Sequence, residues 1–132
     1  VAFFVTEAQM IFCSKKEVSF GMKALFLVLN KTEKLDEVLK TFLDCGVQGA
    51  TILNSTGMGK MLADEIPLFA SLGFALHESR PYSYTIFAAM DEEMVDSVIE
   101  AIDECLGGLE KPDTGFVMVV PVDRIVGLPR KK

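Results

Sequence analysis

The chain has 132 residues, with 13 Lys+Arg against 19 Asp+Glu and a formal net charge of −6, a length that fits one domain with a core of its own. Half of the residues are hydrophobic, which excludes a disordered segment, and the acidic balance counts against nucleic-acid binding, where cationic side chains must displace counterions from phosphate. A mean hydropathy of +0.34 beside 24 % charged residues calls for a large core or for apolar surface buried against other subunits.

Residues 1–21 sustain neither a strand nor a helix period. Lys16, Glu17 and Val18 can be encoded by a purine-rich run of the ribosome-binding type upstream of the Met22 codon, and Val1 is what literal translation of a GTG codon gives. Residues 1–21 are therefore expected to be a leader or extension outside a domain at 22–132. The alternative is an additional strand or arm. The apolar start lacks the basic region of a signal peptide, and no apolar run approaches the ~18 residues of a spanning helix.

The run at 24–29 is apolar throughout and predicts a buried strand. Asn30 to Thr32 supply turn and N-cap chemistry. Leu35, Val38, Leu39, Phe42 and Leu43 then recur at helical spacing, opposite Glu33, Asp36, Glu37 and Lys40. Gly46 suits the left-handed residue that closes a helix. Residues 47–53 read as a second strand, weakened by Gly49.

A long connection at 55–83 follows. Loops beyond about 12–15 residues are usually functional or carry their own structure. Ile66, Leu68, Phe69, Leu72, Phe74 and Leu76 make this one apolar, which suits docking on a partner or a neighbouring subunit.

The second half repeats the first. Residues 84–90 are strand formers, Asp91 can cap a helix that opens with Glu92 and Glu93, and Met94, Val95, Val98, Ile99 and Ile102 form its apolar stripe. Gly107 and Gly108 end it, and 116–120 is the last strand, closed by Pro121. Two βαβ units of similar length predict a ferredoxin-like α+β domain, a four-stranded antiparallel sheet with both helices on one face. Cys45 and Cys105 read as matching positions of an internal duplication. The odd cysteine count, with Cys13, resembles no disulfide framework and points to a reducing compartment. The strands at 24–29 and 116–120 are apolar on both faces, which predicts oligomerisation through the uncovered side of the sheet.

Little in the sequence suggests catalysis. His77 is the only histidine and has no nucleophile pattern beside it, and no HExxH, CxxC or paired-carboxylate spacing is present. The phosphate-flavoured stretch is 55–60, where Gly57 and Gly59 allow close backbone approach and Lys60 could neutralise an anion. It is not a Walker A loop, since Asn54 and Met61 stand where that motif needs Gly and Ser or Thr. The acidic helix at 91–104 reads as a solvated face, and the basic end with Arg124, Arg130, Lys131 and Lys132 as a tail.

Several stretches together resemble the PII nitrogen-regulatory signalling family: 34–38, then Gly46-Val47-Gln48-Gly49-Ala50-Thr51-Ile52, then Gly57-Met58-Gly59-Lys60, and in the second half 96–102, Gly115 and Val120-Pro121-Val122. The resemblance covers nearly all of 22–130. It implies a cytoplasmic homotrimer with its sheets turned inward, and a regulator without catalysis. It further implies an adenine nucleotide in clefts between subunits, often with 2-oxoglutarate and magnesium, and a loop at 61–83 that docks on a transporter, enzyme or transcription regulator. Carried onto this chain, Gly57, Gly59 and Lys60 form one wall of the cleft. Lys111, Gly115, Arg124 and Arg130 supply the other. Met61 stands where the family has a glutamine, Phe116 where it has a lysine, and Gly127 and Pro129 where it has two arginines, so the ligand's identity stays open. The rival readings are a trimer that binds proteins without a ligand, a metal-tolerance-type trimer, and a small enzyme on the same plan.

Overall fold

The computed structural model describes residues 21–65 and 82–128. His77, Cys13, Arg130, the segment 66–81 and the expected leader apart from Gly21 lie outside the described residues.

Strand β1 (Met22–Leu29) is central. A 3-10 turn at Thr32–Lys34 leads into helix α1 (Leu35–Asp44), followed by β2 (Thr51–Ser55) and helix α2 (Met58–Glu65). After the long connection come β3 (Ser83–Asp91), helix α3 (Glu92–Leu106) and β4 (Gly115–Pro121). The sheet order is β2-β3-β1-β4, and each neighbouring pair is antiparallel. This is the expected ferredoxin-like plan, with α1 and α3 packed together on one face.

The pleat of β1 divides its side chains between two faces. Leu25, Leu27 and Leu29 point to the helices and are fully buried, together with Ile86 of β3. Against them pack Val38 and Phe42 of α1 and Val95, Val98, Ile102 and Leu106 of α3, which form one core. On the other face the register aligns Thr51, Phe87, Phe26 and Met118 in one row across the four strands. Phe26 and Phe87 stack with ring centroids 5.4 Å apart. The next row is Leu53, Thr85, Val28 and Phe116. Within the protomer Leu53, Phe116 and Met118 on this side are exposed, about half of each being open to solvent.

Both helices close with the same left-handed motif. After α1 the Gly46 N–H donates to Leu43 and the Val47 N–H to Phe42, with Gly46 at φ +96°. After α3 the Gly107 N–H donates to Glu104 and the Gly108 N–H to Asp103. These paired bonds satisfy terminal carbonyls that the helix itself cannot reach. The motif also corrects two sequence expectations. Val47 is drawn into the helix end and buried there, so β2 begins at Thr51 rather than at 47. Cys45 directly precedes its left-handed glycine, whereas Cys105 lies two residues before Gly107, so the cysteines are offset by one position. Asp91 occupies the N-cap of α3 without a side-chain capping bond, and Lys31 rather than Asn30 or Thr32 precedes the 3-10 turn, also without one. The Glu92 N–H instead donates to the Gly21 carbonyl at 2.7 Å.

Gly115 opens β4 at φ +141°, paired with Leu29. A Cβ there would run into the Val28 carbonyl oxygen. Gly49 has open space around it and no positive φ. Gly115→Ala is therefore expected to lower stability by about 1–3 kcal/mol, the range for strained backbone positions. Gly49→Ala is expected to stay within about 0.5 kcal/mol of the parent in urea unfolding, as a surface substitution does.

Candidate functional site

The candidate residues fall into two groups at the same end of the sheet, on opposite edges. Gly57, Gly59 and Lys60 follow β2, the strand at one edge. Lys111 and Gly115 precede and open β4, the strand at the other. The register runs Asn54, Tyr84, Leu29, Gly115 straight across the sheet at this end. Three strand spacings separate its ends, roughly 14 Å.

The first group is a helix start. The sequence reads 55–60 as a phosphate-type loop or a flexible strand exit. In the structure only Thr56 and Gly57 are irregular, and Met58 begins α2. The Met61 N–H donates to the Gly57 carbonyl at 3.2 Å, closing the first turn. Met, Lys, Leu and Ala favour the helix enough to carry Gly59 within it. The first-turn N–H groups of such a helix lack intrahelical acceptors and point where an anion could sit, with Lys60 beside them.

The strand that feeds this helix is locked at its last rung. The Ser55 and Ser83 hydroxyls lie 2.8 Å apart, and Thr85 Oγ1 donates to Ser55 Oγ at 2.9 Å. These three side chains share the open face of the sheet with Phe26 and Phe87.

The second group is a tight loop, residues 107–114, tied down at several points. Asp103 Oδ1 accepts the Leu109 N–H at 2.6 Å. The Lys111 N–H donates to the Gly108 carbonyl at 3.2 Å, and its side chain runs over Gly108, where a Cβ would stand 3.4–3.6 Å from the lysine carbons. Asp113 takes a left-handed φ of 61°. The Asn30 N–H donates to the Thr114 carbonyl at 3.0 Å, joining the loop to the β1–α1 turn. The contacts that Asn30, Asp103 and Thr114 make at this loop escaped sequence reading, because nothing in their local pattern shows that the two βα corners meet.

Gly115 has a steric role here: its backbone presses on β1, and no side chain fits at that point. Arg124 starts from the far end of the sheet, three residues beyond Pro121, where the Val122 N–H donates to the Met22 carbonyl at 3.1 Å. The described residues of one protomer thus bring Lys111 and Gly115 together. Gly57, Gly59 and Lys60 form a separate cluster. A shallow concavity of about 350 Å³ between Lys23, Glu92, Glu93, Val95, Asp96 and Val119 also lies at the far end, and none of the candidate ligand residues lines it. Among the described residues no group of three His, Cys, Asp or Glu could hold a metal ion. No helix among them is long and apolar enough to cross a membrane.

The family model for nitrogen regulatory protein P-II matches residues 22–132. The chain belongs to the P-II family. Among solved structures, Arabidopsis thaliana PII bound to citrate shares its fold, with a TM-score of 0.54 and 16 % identity over 78 % of this chain and 78 % of that one. No curated protein matches the chain. The match begins at Met22, the first residue of β1, and takes in both clusters of candidate residues.

Thr114 is fully buried, and its Oγ1 has no partner among the described residues. Removing a buried hydroxyl that lacks a partner relieves a desolvation cost. Thr114→Val in this P-II chain is expected to leave stability unchanged or raise it by up to about 2 kcal/mol in urea unfolding. A loss of stability would mean that the hydroxyl has a partner.

Proposed function

We propose that this P-II protein is a non-catalytic signalling regulator in the cytoplasm that acts as a homotrimer. It binds a small anionic ligand, with an adenine nucleotide as the leading class, in the clefts between subunits. The observation that carries this reading is the division of the candidate residues between opposite sheet edges at one end. A ring in which the β2 edge of one copy meets the β4 edge of the next would join Gly57, Gly59 and Lys60 to Lys111 and Gly115 once per interface. Arg130, later on the segment that follows β4, is the further cation proposed for the site, whereas Arg124 starts from the far end of the sheet, away from both clusters. The citrate in the Arabidopsis protein supports an anionic ligand.

The open sheet face supports the trimer. Phe26, Phe87, Met118, Phe116, Val28 and Leu53 form a contiguous apolar surface of the kind that soluble monomers rarely leave wet. We further propose that the segment 61–83 docks on a partner protein, a transporter or enzyme of nitrogen metabolism. A ligand bound at Lys60 could bias that segment only as far as it binds two of its states with different affinity. Lys60 stands at the segment's start, which makes such coupling short-range.

Two measurements test the reading. Met118→Lys places a charge in the centre of the apolar face. It is expected to shift the protein from trimer to monomer in sedimentation equilibrium, and a retained trimer would move the interface elsewhere. Isothermal titration with ATP, ADP, AMP, cyclic dinucleotides and bicarbonate is expected to find a ligand whose affinity Lys60→Ala weakens by about 1–3 kcal/mol, as for a charge-assisted hydrogen bond. Binding to none of them would favour a trimer that engages proteins without a ligand.

A further inference from the structure

The C-terminal end of α3 is held by a residue from the other half of the chain. Its last turn carries Asp103 and Glu104 and no basic residue. Its own side chains therefore add negative charge to the negative end of the helix dipole. The closing motif satisfies the carbonyls of Asp103 and Glu104. The Leu106 carbonyl takes its hydrogen from Lys31, whose Nζ lies 3.2 Å away in a partly buried bond spanning 75 positions of sequence. One residue earlier, the Asn30 N–H holds the Thr114 carbonyl. The β1–α1 turn thus grips the loop 107–114 at both of its ends, and Lys111, its side chain lying over Gly108, stands between the two grips.

We infer that Lys31 is a positioning residue for the anion site, acting through Lys111. This rests on the intersubunit ligand reading above. Two effects add. The bond to Leu106 fixes where the chain leaves α3, and so where the turn that closes on Gly108 presents Lys111. The Lys31 charge also offsets Asp103 and Glu104, whose field would otherwise repel an anion approaching Lys111. A lysine placed only to stabilise the helix end would act on folding and leave the affinity of Lys111 for its ligand untouched.

The test uses the full-length protein and ATP as the probe. Lys31→Met keeps most of the side-chain stem and removes donor and charge, and Lys31→Arg restores both. Titration calorimetry is run on the parent, both variants, Lys111→Ala and the double variant Lys31→Met/Lys111→Ala. Lys31→Met is expected to weaken ATP roughly three- to tenfold, the size of a helix-end charge interaction, and Lys31→Arg to return it to within about twofold of the parent. The share of the Lys31→Met loss that acts by positioning Lys111 should vanish once Lys111 is alanine, so the two losses should add to less than their sum, the non-additivity of residues acting as a unit. Hydrogen exchange should speed up at the Leu109 and Lys111 amides and stay unchanged in β1. Unchanged affinity in Lys31→Met, or a loss that adds in full to that of Lys111→Ala, would overturn the inference. If the parent binds no ATP, the nucleotide reading fails on its own, and the exchange rates still decide: unchanged protection at Leu109 and Lys111 would remove the positioning role.

Discussion

Strand β1 is apolar on both sides of its pleat, while the helices cover only one side. Leu25, Leu27 and Leu29 meet the buried stripes of α1 and α3, and this contact makes the core of the protomer. Phe26, stacked on Phe87 and registered with Met118, lies on the uncovered side. Burying a large apolar side chain stabilises a protein by about 1.5–3 kcal/mol, so a face with this many of them favours association over exposure. The rest of the structure follows from that asymmetry. The helices lie on one face, and in the proposed trimer the other face would find its cover and the edge strands would come to the boundary between copies.

The same asymmetry gives the candidate site its character. The order β2-β3-β1-β4 puts the helix start at Gly57–Lys60 and the Lys111 loop on opposite edges, and the antiparallel register puts them at one end. Each is incomplete as a ligand pocket: a lysine beside a helix start in one case, a lysine on a tied-down loop in the other. In a ring each would face the other across a subunit boundary. Assembly and ligand binding would then be linked, because an anion held by both lysines binds only where two copies meet.

Much of this was legible in the sequence. The helical spacing from Leu35 to Leu43 and from Met94 to Ile102, the apolar strands and the glycines after each helix define the repeated βαβ plan. The apolar character of both faces at 24–29 and 116–120 was readable because no amphipathic pattern assigns one of the faces to water. What the sequence hid were features made by contacts between distant segments. Residues 47–50 look like strand, yet the Val47 N–H is claimed by Phe42 and the strand starts later. Residues 55–60 look like a glycine-rich loop, yet favourable helix residues after Gly59 extend a helix back through it. Gly115 reads as a ligand-loop glycine, while the structure shows that β1 runs against its backbone. The grip of Asn30 and Lys31 on the second corner has no local signature, apart from the missing basic residue at the end of α3.

On this reading one site draws Lys60 from one copy and Lys111 from the next. Its most direct test is complementation between two inactive variants. Lys60→Ala and Lys111→Ala are purified separately, unfolded, mixed in equal amounts and refolded together, and ATP binding is measured by calorimetry. Each variant alone should bind weakly. The mixture should recover strong binding at a minority of sites, because a Lys111→Ala copy can lend its Lys60 to a Lys60→Ala neighbour that still has Lys111. A shared site gives strong binding in the mixture with a stoichiometry well below that of the parent. A mixture that binds no better than its two components would contradict it and return the site to a single protomer.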